Sequence, residues 1–215
     1  MSFTPSSPTT SDLVIRDAVR RAFKSPQARE IARQFGLVAI GAKPASLRTF
    51  VHGENGSLKV GFGRNWWIAD DFLAVLRRSD LAVITFPSYD SGTMDTVVVA
   101  PTVARAELVR RCLRDIMDPN TTPARKETIE IRIGALLGYP RSGTMALLGR
   151  GPRATRSEVR SHLTDVETWF TDGTSARSSD GLAEGVAAAR RMARAFHEWY
   201  GHLDPVELPS DARSR

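Results

Sequence analysis

Leu47-Arg48-Thr49-Phe50-Val51-His52, then Gly53-Glu54-Asn55-Gly56-Ser57, then Leu58-Lys59-Val60-Gly61-Phe62 is the stretch that decides the fold. Two β-rich runs flank an Asn-Gly pair, which tolerates positive φ and suits a tight hairpin. Asn65 is a good N-cap for a helix over Trp66–Leu76. Ile68, Phe72, Val75 and Leu76 recur on one helical face. Asp70 and Asp71 early in this segment and Arg77 and Arg78 at its end agree with the helix dipole. Leu81–Phe86 reads as a mostly buried strand and Thr96–Ala100 as the next, stopped by Pro101. The short turn between them predicts antiparallel pairing. The expectation is an α+β fold: a mainly antiparallel sheet over about residues 37–101, flanked by N-terminal helices and packed against a helical C-terminal part.

Upstream, Ser11 or Asp12 caps a helix to Phe23 with Ile15, Val19, Ala22 and Phe23 inward. Ser25-Pro26 starts a second helix, with cap and first-turn proline. Ala28, Ile31, Ala32 and Phe35 line it, and Gly36 is placed to stop it. Leu37–Gly41 is then a candidate strand. Ala28–Val51 also admits a helix-turn-helix reading with its second helix from Pro44 to Val51. The Leu37–Lys43 connection exceeds the usual turn of about three to four residues, and Leu47–His52 alternates like a strand.

Downstream, Thr102 caps a helix to Met117, and Thr122-Pro123 opens another that Gly138-Tyr139-Pro140 closes. Ile129–Ile133 alternates, so a strand is the alternative there. Arg141–Arg153 reads as a loop around a short apolar turn, Thr144–Leu148. Ser157 begins a helix with Val159, Leu163, Val166 and Trp169 or Phe170 inward. Thr171–Ser179 reads as a linker, and a long helix runs from Gly181 to Tyr200, ended by Gly201. The domain expectation is a flexible tail over 1–10, one α+β domain over 11–201 (sheet-containing part 11–118, helical part 122–201), and a flexible tail over 202–215.

The 215 residues are 41% hydrophobic, enough for a sizeable core. No apolar run of about 18 residues occurs, so no membrane span or membrane partner is expected. The single cysteine, Cys112, sits at an apolar helical position and excludes an intrachain disulfide. With an N-terminus lacking the pattern of a secretory signal, the expected setting is the cytoplasm. The formal charge is +6; of 30 basic residues only Lys24, Lys43, Lys59 and Lys126 are lysines, leaving 26 arginines. That balance favours anionic partners, nucleic acid among them, but acids and bases are interspersed and no basic tail stands out.

Two stretches stand out as ligand-binding candidates. In Arg64-Asn65-Trp66-Trp67, adjacent tryptophans on a helix diverge, so one is core and the other partly exposed. An exposed indole beside Arg64 or Asp70 suits a planar or anionic ligand. In Tyr139-Pro140-Arg141-Ser142-Gly143-Thr144, a basic side chain and small residues precede an apolar turn. This segment resembles the loop that holds the phosphosulfate cofactor in sulfotransferases, Pro-(Lys/Arg)-Ser-Gly-Thr between a strand and a helix. The resemblance implies phosphate contacts from Arg141, Ser142, Gly143 and Thr144. It is confined to these residues: the family places the loop near its N-terminus with a long α/β domain behind it, whereas the segment after Thr144 here reads as helical. What carries over is an anion site, and no family resemblance spans the chain.

The remaining signals are thin. His197 and His202 stand at i and i+5 with Gly201 between them, so they do not share a helix face. No metal and no cofactor is expected. No nucleophile elbow, P-loop or dinucleotide fingerprint occurs. Asp90, Ser91 and Asp95 lie in a turn, where composition already follows from turn formation. Three function classes follow. The first is a binding or regulatory protein with an anionic partner, nucleic acid included. The second is a small metal-independent enzyme on a phosphate-bearing substrate, its pocket between Ser88–Asp95 and Arg141–Thr144. The third is an assembly protein forming a homodimer through its helices.

Overall fold

The computed structural model describes residues 9–62, 65–88, 92–164, 167, 170, 179 and 181–201. It is an α+β fold around a five-stranded sheet, β1 (Ser46–His52), β2 (Leu58–Phe62), β3 (Asn65–Ile68), β4 (Ala82–Pro87) and β5 (Met94–Ala100). The strand order is β3-β2-β1-β5-β4, and every neighbouring pair is antiparallel. The Asn-Gly hairpin forms as expected, with Val51 opposite Lys59, His52 opposite Leu58, and Gly56 at φ +72°.

Interior strand β5 is buried from Thr96 to Ala100, and its alternate residues enter different cores. Val97 and Val99 pack with the helices α1 (Thr10–Phe23), α2 (Arg29–Ala39), α3 (Asp70–Arg77) and α8 (Leu182–Tyr200). Val98 and Ala100 pack with α4 (Val103–Met117) and α5 (Pro123–Leu136). A strand covered on both faces has no use for polar alternation, hence the unbroken Val-Val-Val-Ala run. Two short helices, α6 (Arg141–Leu147) and α7 (Arg156–Ser161), follow α5.

The caps follow local chemistry. Thr9, not Ser11 or Asp12, caps α1: its hydroxyl accepts from the Asp12 amide, and the Asp12 carboxylate accepts from the Thr9 amide at 2.8 Å, a reciprocal capping box. Thr102 and Thr122 cap α4 and α5 as expected, and α5 runs through Ile129–Ile133 as a helix rather than a strand.

Four sequence expectations are corrected. Leu37–Ala39 is the last turn of α2, so the sheet begins at Ser46 rather than near residue 37. Gly36 does not stop that helix; positive φ falls at Gly41 instead. Ser25-Pro26 does not open the second helix, which begins at Arg29 with no side-chain cap; Leu47–His52, by contrast, is a strand as its alternation suggested, and the helix-turn-helix alternative loses its second helix. Asn65–Ile68 is strand β3 and not the first turn of a helix, because β2 offers it a hydrogen-bonding edge; α3 begins at Asp70. The apolar stripe expected of that helix survives from Phe72 onward, whereas Ile68 is 55% exposed.

Of the tail expected over 1–10, residues 1–8 lie outside the described residues, whereas Thr9 caps α1 and Thr10 begins it; the tail over 202–215, Val166, Trp169, Asp180 and, of the expected 171–179 linker, residues 171–178 also lie outside them. Among the described residues no helix is long and apolar enough to cross a membrane.

Candidate functional site

Arg64 lies outside the described residues. Trp66 and Trp67 diverge, but because neighbours on a strand alternate between its faces, not because of a helical turn. Trp67 packs its ring 5.7 Å from Phe72, while Trp66 is 44% exposed on the opposite face. Asp70 accepts from the Leu58 amide at 3.3 Å and so ties α3 to β2. A notch of about 230 Å³ does lie beside Trp67, lined by Arg21, Ile68, Asp71, Phe72 and Val75. It falls below the roughly 300–1,000 Å³ of ordinary ligand sites, and Arg21 is already paired with Asp17.

Arg141–Thr144 is not a loop but the first turn of seven-residue α6, preceded by helix α5 and not by a strand. Gly143 and Thr144 are buried. An ideal Cβ built on Gly134 of α5 would lie 2.3 Å from Thr144 Oγ1, so these two residues serve a close helix contact. Thr144 Oγ1 donates to the Pro140 carbonyl, and Ser142 Oγ donates to Glu184 of α8 at 3.1 Å. Of the four residues only Arg141 is exposed.

The largest of the clefts described here, about 660 Å³, runs along α8. Leu182, Ala183, Val186 and Ala187 form its floor, and Arg190, Arg191 and Arg194 its basic end, with His162 and Ser179 opposite. Positions i, i+3 and i+4 share a helix face, which places these residues in one lane while Ala189, Ala193 and Phe196 turn a different edge of α8 toward the core.

Two capping boxes bracket His162, a residue of the facing wall, along the chain. Thr155 and Glu158 exchange bonds at the start of α7, and these bonds hold the Glu158 carboxyl below its usual range. Thr164 and Glu167 exchange the same pair. Arg190 then clamps the wall to α8, donating to the His162 carbonyl at 2.7 Å and standing 3.6 Å from Glu167. Ser179 donates its amide to the Pro152 carbonyl at 3.2 Å and pins the other end. Among the described residues no carboxylate lies against Arg191 or Arg194. Both guanidiniums face a cleft whose floor is apolar.

None of the residues singled out from the sequence lines this cleft. The signals that could have found it are the two Thr-x-x-Glu boxes and the spacing of Arg190, Arg191 and Arg194.

His52 Nε2 lies 3.0 Å from Asp95 Oδ1 across β1 and β5, a pairing that joins two residues far apart in sequence. The contact is partly exposed, with no described hydroxyl or thiol bonded to the imidazole. Of the expected turn, Asp90 and Ser91 lie outside the described residues. Among the described residues no three His, Cys, Asp or Glu side chains gather to hold a metal.

No family model, curated protein or solved structure matches the chain. Its function rests on the site alone.

Proposed function

We propose that the protein binds a small amphiphilic anion in the α8 cleft, its acidic head on Arg191 and Arg194 and its apolar body over Leu182, Ala183, Val186 and Ala187. The observation that carries this is the pairing, in one concavity of ligand size, of an apolar floor with two guanidiniums against which no described carboxylate lies. Arginine suits carboxylate and phosphate heads because its planar fork bonds them bidentately. A bare polyanion would leave the floor unused, so a ligand with an apolar portion is favoured over nucleic acid. The setting we propose is cytoplasmic, in keeping with a single free thiol, Cys112.

Calorimetric titration with an alkyl phosphate below its micelle concentration, inorganic phosphate and a mixed-sequence oligonucleotide separates the readings. The alkyl phosphate is expected to bind, and the double variant Arg191→Gln/Arg194→Gln to weaken it by about tenfold or more, as loss of a charge-assisted pair implies. An oligonucleotide that binds more tightly than the alkyl phosphate, with a steep salt dependence, would replace this ligand by nucleic acid. No binding of any of the three at low salt would end the anion reading.

A further inference from the structure

The sheet has two edges, and they are not alike. Edge strand β4 ends on Pro87, which has no amide to offer, and Arg77 reaches across to donate to Thr85 Oγ1 at 3.1 Å. A proline and an overlying arginine are among the devices that keep an edge from pairing with another chain. Edge strand β3, Asn65-Trp66-Trp67-Ile68, carries neither proline nor charge. It also exposes two large apolar side chains, Trp66 at 44% and Ile68 at 55%, which the alternation of a strand sets on the same side, opposite to Trp67.

The backbone of β3 is ordered for a further strand. The Ala69 amide donates to the Leu58 carbonyl at 2.8 Å, and residues alternate in the direction of their backbone groups along an antiparallel ladder. Trp67 and Asn65 thus point their N–H and C=O groups at β2, and Trp66 and Ile68 point theirs outward.

The side chains across from the exposed pair leave them open. Opposite Trp66 stands Gly61, at φ +148°, which gives the indole no side chain to lie against. Opposite Ile68 stands Lys59, whose chain runs toward Gly53 over the hairpin.

We infer that β3 is an interaction surface whose occupant is a second copy of this chain, paired antiparallel about Trp67 to continue the sheet. That register sets Trp66 opposite Ile68 of the second copy and Ile68 opposite Trp66 of the second copy. Each such pair exchanges both backbone bonds, because these are the residues whose backbone groups point outward. It also lays each indole against an isoleucine on the uncovered face, an aromatic and β-branched cross-strand pair. A second copy fits better than an unlike charged partner. The protein carries +6 overall, yet this strand bears no charge to repel its own image. The inference does not rest on the α8 cleft.

The contact is smaller than the roughly 1,200–2,000 Å² of a standard interface, so the dimer expected is a transient, concentration-dependent one. Sedimentation velocity on the full chain, run from low micromolar to near-millimolar protein, is expected to show a reversible monomer–dimer equilibrium. Hydrogen exchange at the dimeric end is expected to slow at the Trp66 and Ile68 amides, which exchange freely in the monomer. Trp66→Lys and Ile68→Lys alter exposed side chains, so circular dichroism and Tm report whether each variant is folded. Each is expected to weaken dimerisation at least tenfold. A wild-type chain that stays monomeric throughout overturns the inference. So does a dimer that both lysine variants leave intact, which would assign association to another surface.

Discussion

The hydroxyl of Tyr200 donates to the carbonyl of Gly36 at 3.0 Å, in a part of the core where the phenol has no solvent exposure. One bond joins the last described helix to the second. Removing it by Tyr200→Phe leaves the carbonyl with the Ile40 amide as its remaining donor, so the loss is that of one net hydrogen bond, about 0.5–1.5 kcal/mol, which urea unfolding at neutral pH would register.

The same phenol predicts an alkaline limit. Burial, with a smaller push from Asp12, holds its pKa well above the ordinary value. A group with a folded pKa above its unfolded one stabilises fully below the unfolded value of about 10 and loses that contribution as pH climbs toward the folded one. Denaturant midpoints should therefore fall between roughly pH 9.5 and 11.5 by more in the wild type than in Tyr200→Phe. Equal slopes would contradict a buried phenol.

Gly36 answers Tyr200 sterically as well. A Cβ there would meet Phe196, Tyr200 Oη and Val19 at 3.2 Å each. Gly36→Ala gains about 1 kcal/mol of helix propensity but presses on three fully buried side chains, for which overpacking costs about 1–3 kcal/mol. The net expectation is a destabilised protein. Because Oη is one of the three contacts, the cost should shrink when Tyr200→Phe is already present; strict additivity in the double-mutant cycle would show the two sites to be independent.

Gly61 is required by its backbone. At φ +148°, with a Cβ falling 2.0 Å from the Asn65 carbonyl oxygen, Gly61→Ala must push β3 away from β2. A loss of at least about 2 kcal/mol is expected, together with faster amide exchange across Asn65–Ile68. Unchanged exchange there would show that the strand pair does not depend on this glycine.

Cys112 is buried, and that burial raises its thiol pKa, with Arg132 opposing. Reaction with a disulfide reagent near pH 8 should be slow in the native protein and rise sharply on unfolding. A rapid native reaction would mark the thiol as accessible.

The Asn55-Gly56 hairpin and the caps of α4 and α5 were legible in the sequence because their causes are local: Asn55-Gly56 needs only its own backbone, and Thr102 and Thr122 need only the next turn. Asn65–Ile68 was not, since the spacing of Ile68, Phe72 and Leu76 fits a helical stripe as well as a strand running into one. The neighbouring edge of β2 decided it, and that edge exists only after folding. Gly36 failed for the opposite reason. Glycine at a helix end is a sound local rule, but this one makes room for a helix that lies 146 residues downstream, at Leu182. The α8 cleft was hidden by abundance: among 26 arginines, three at 190, 191 and 194 stand out only once His162 faces them.

The dependence of α1 and α2 on α8 has a consequence during synthesis. Val19, Phe23, Ile31 and Phe35 form a greasy surface to which Phe196 and Tyr200 are the last to be added, so a ribosome releases it partly uncovered while most of the chain is still being made. A product cut short before Tyr200 cannot fully bury that surface, and so carries its own signal for chaperone capture or degradation.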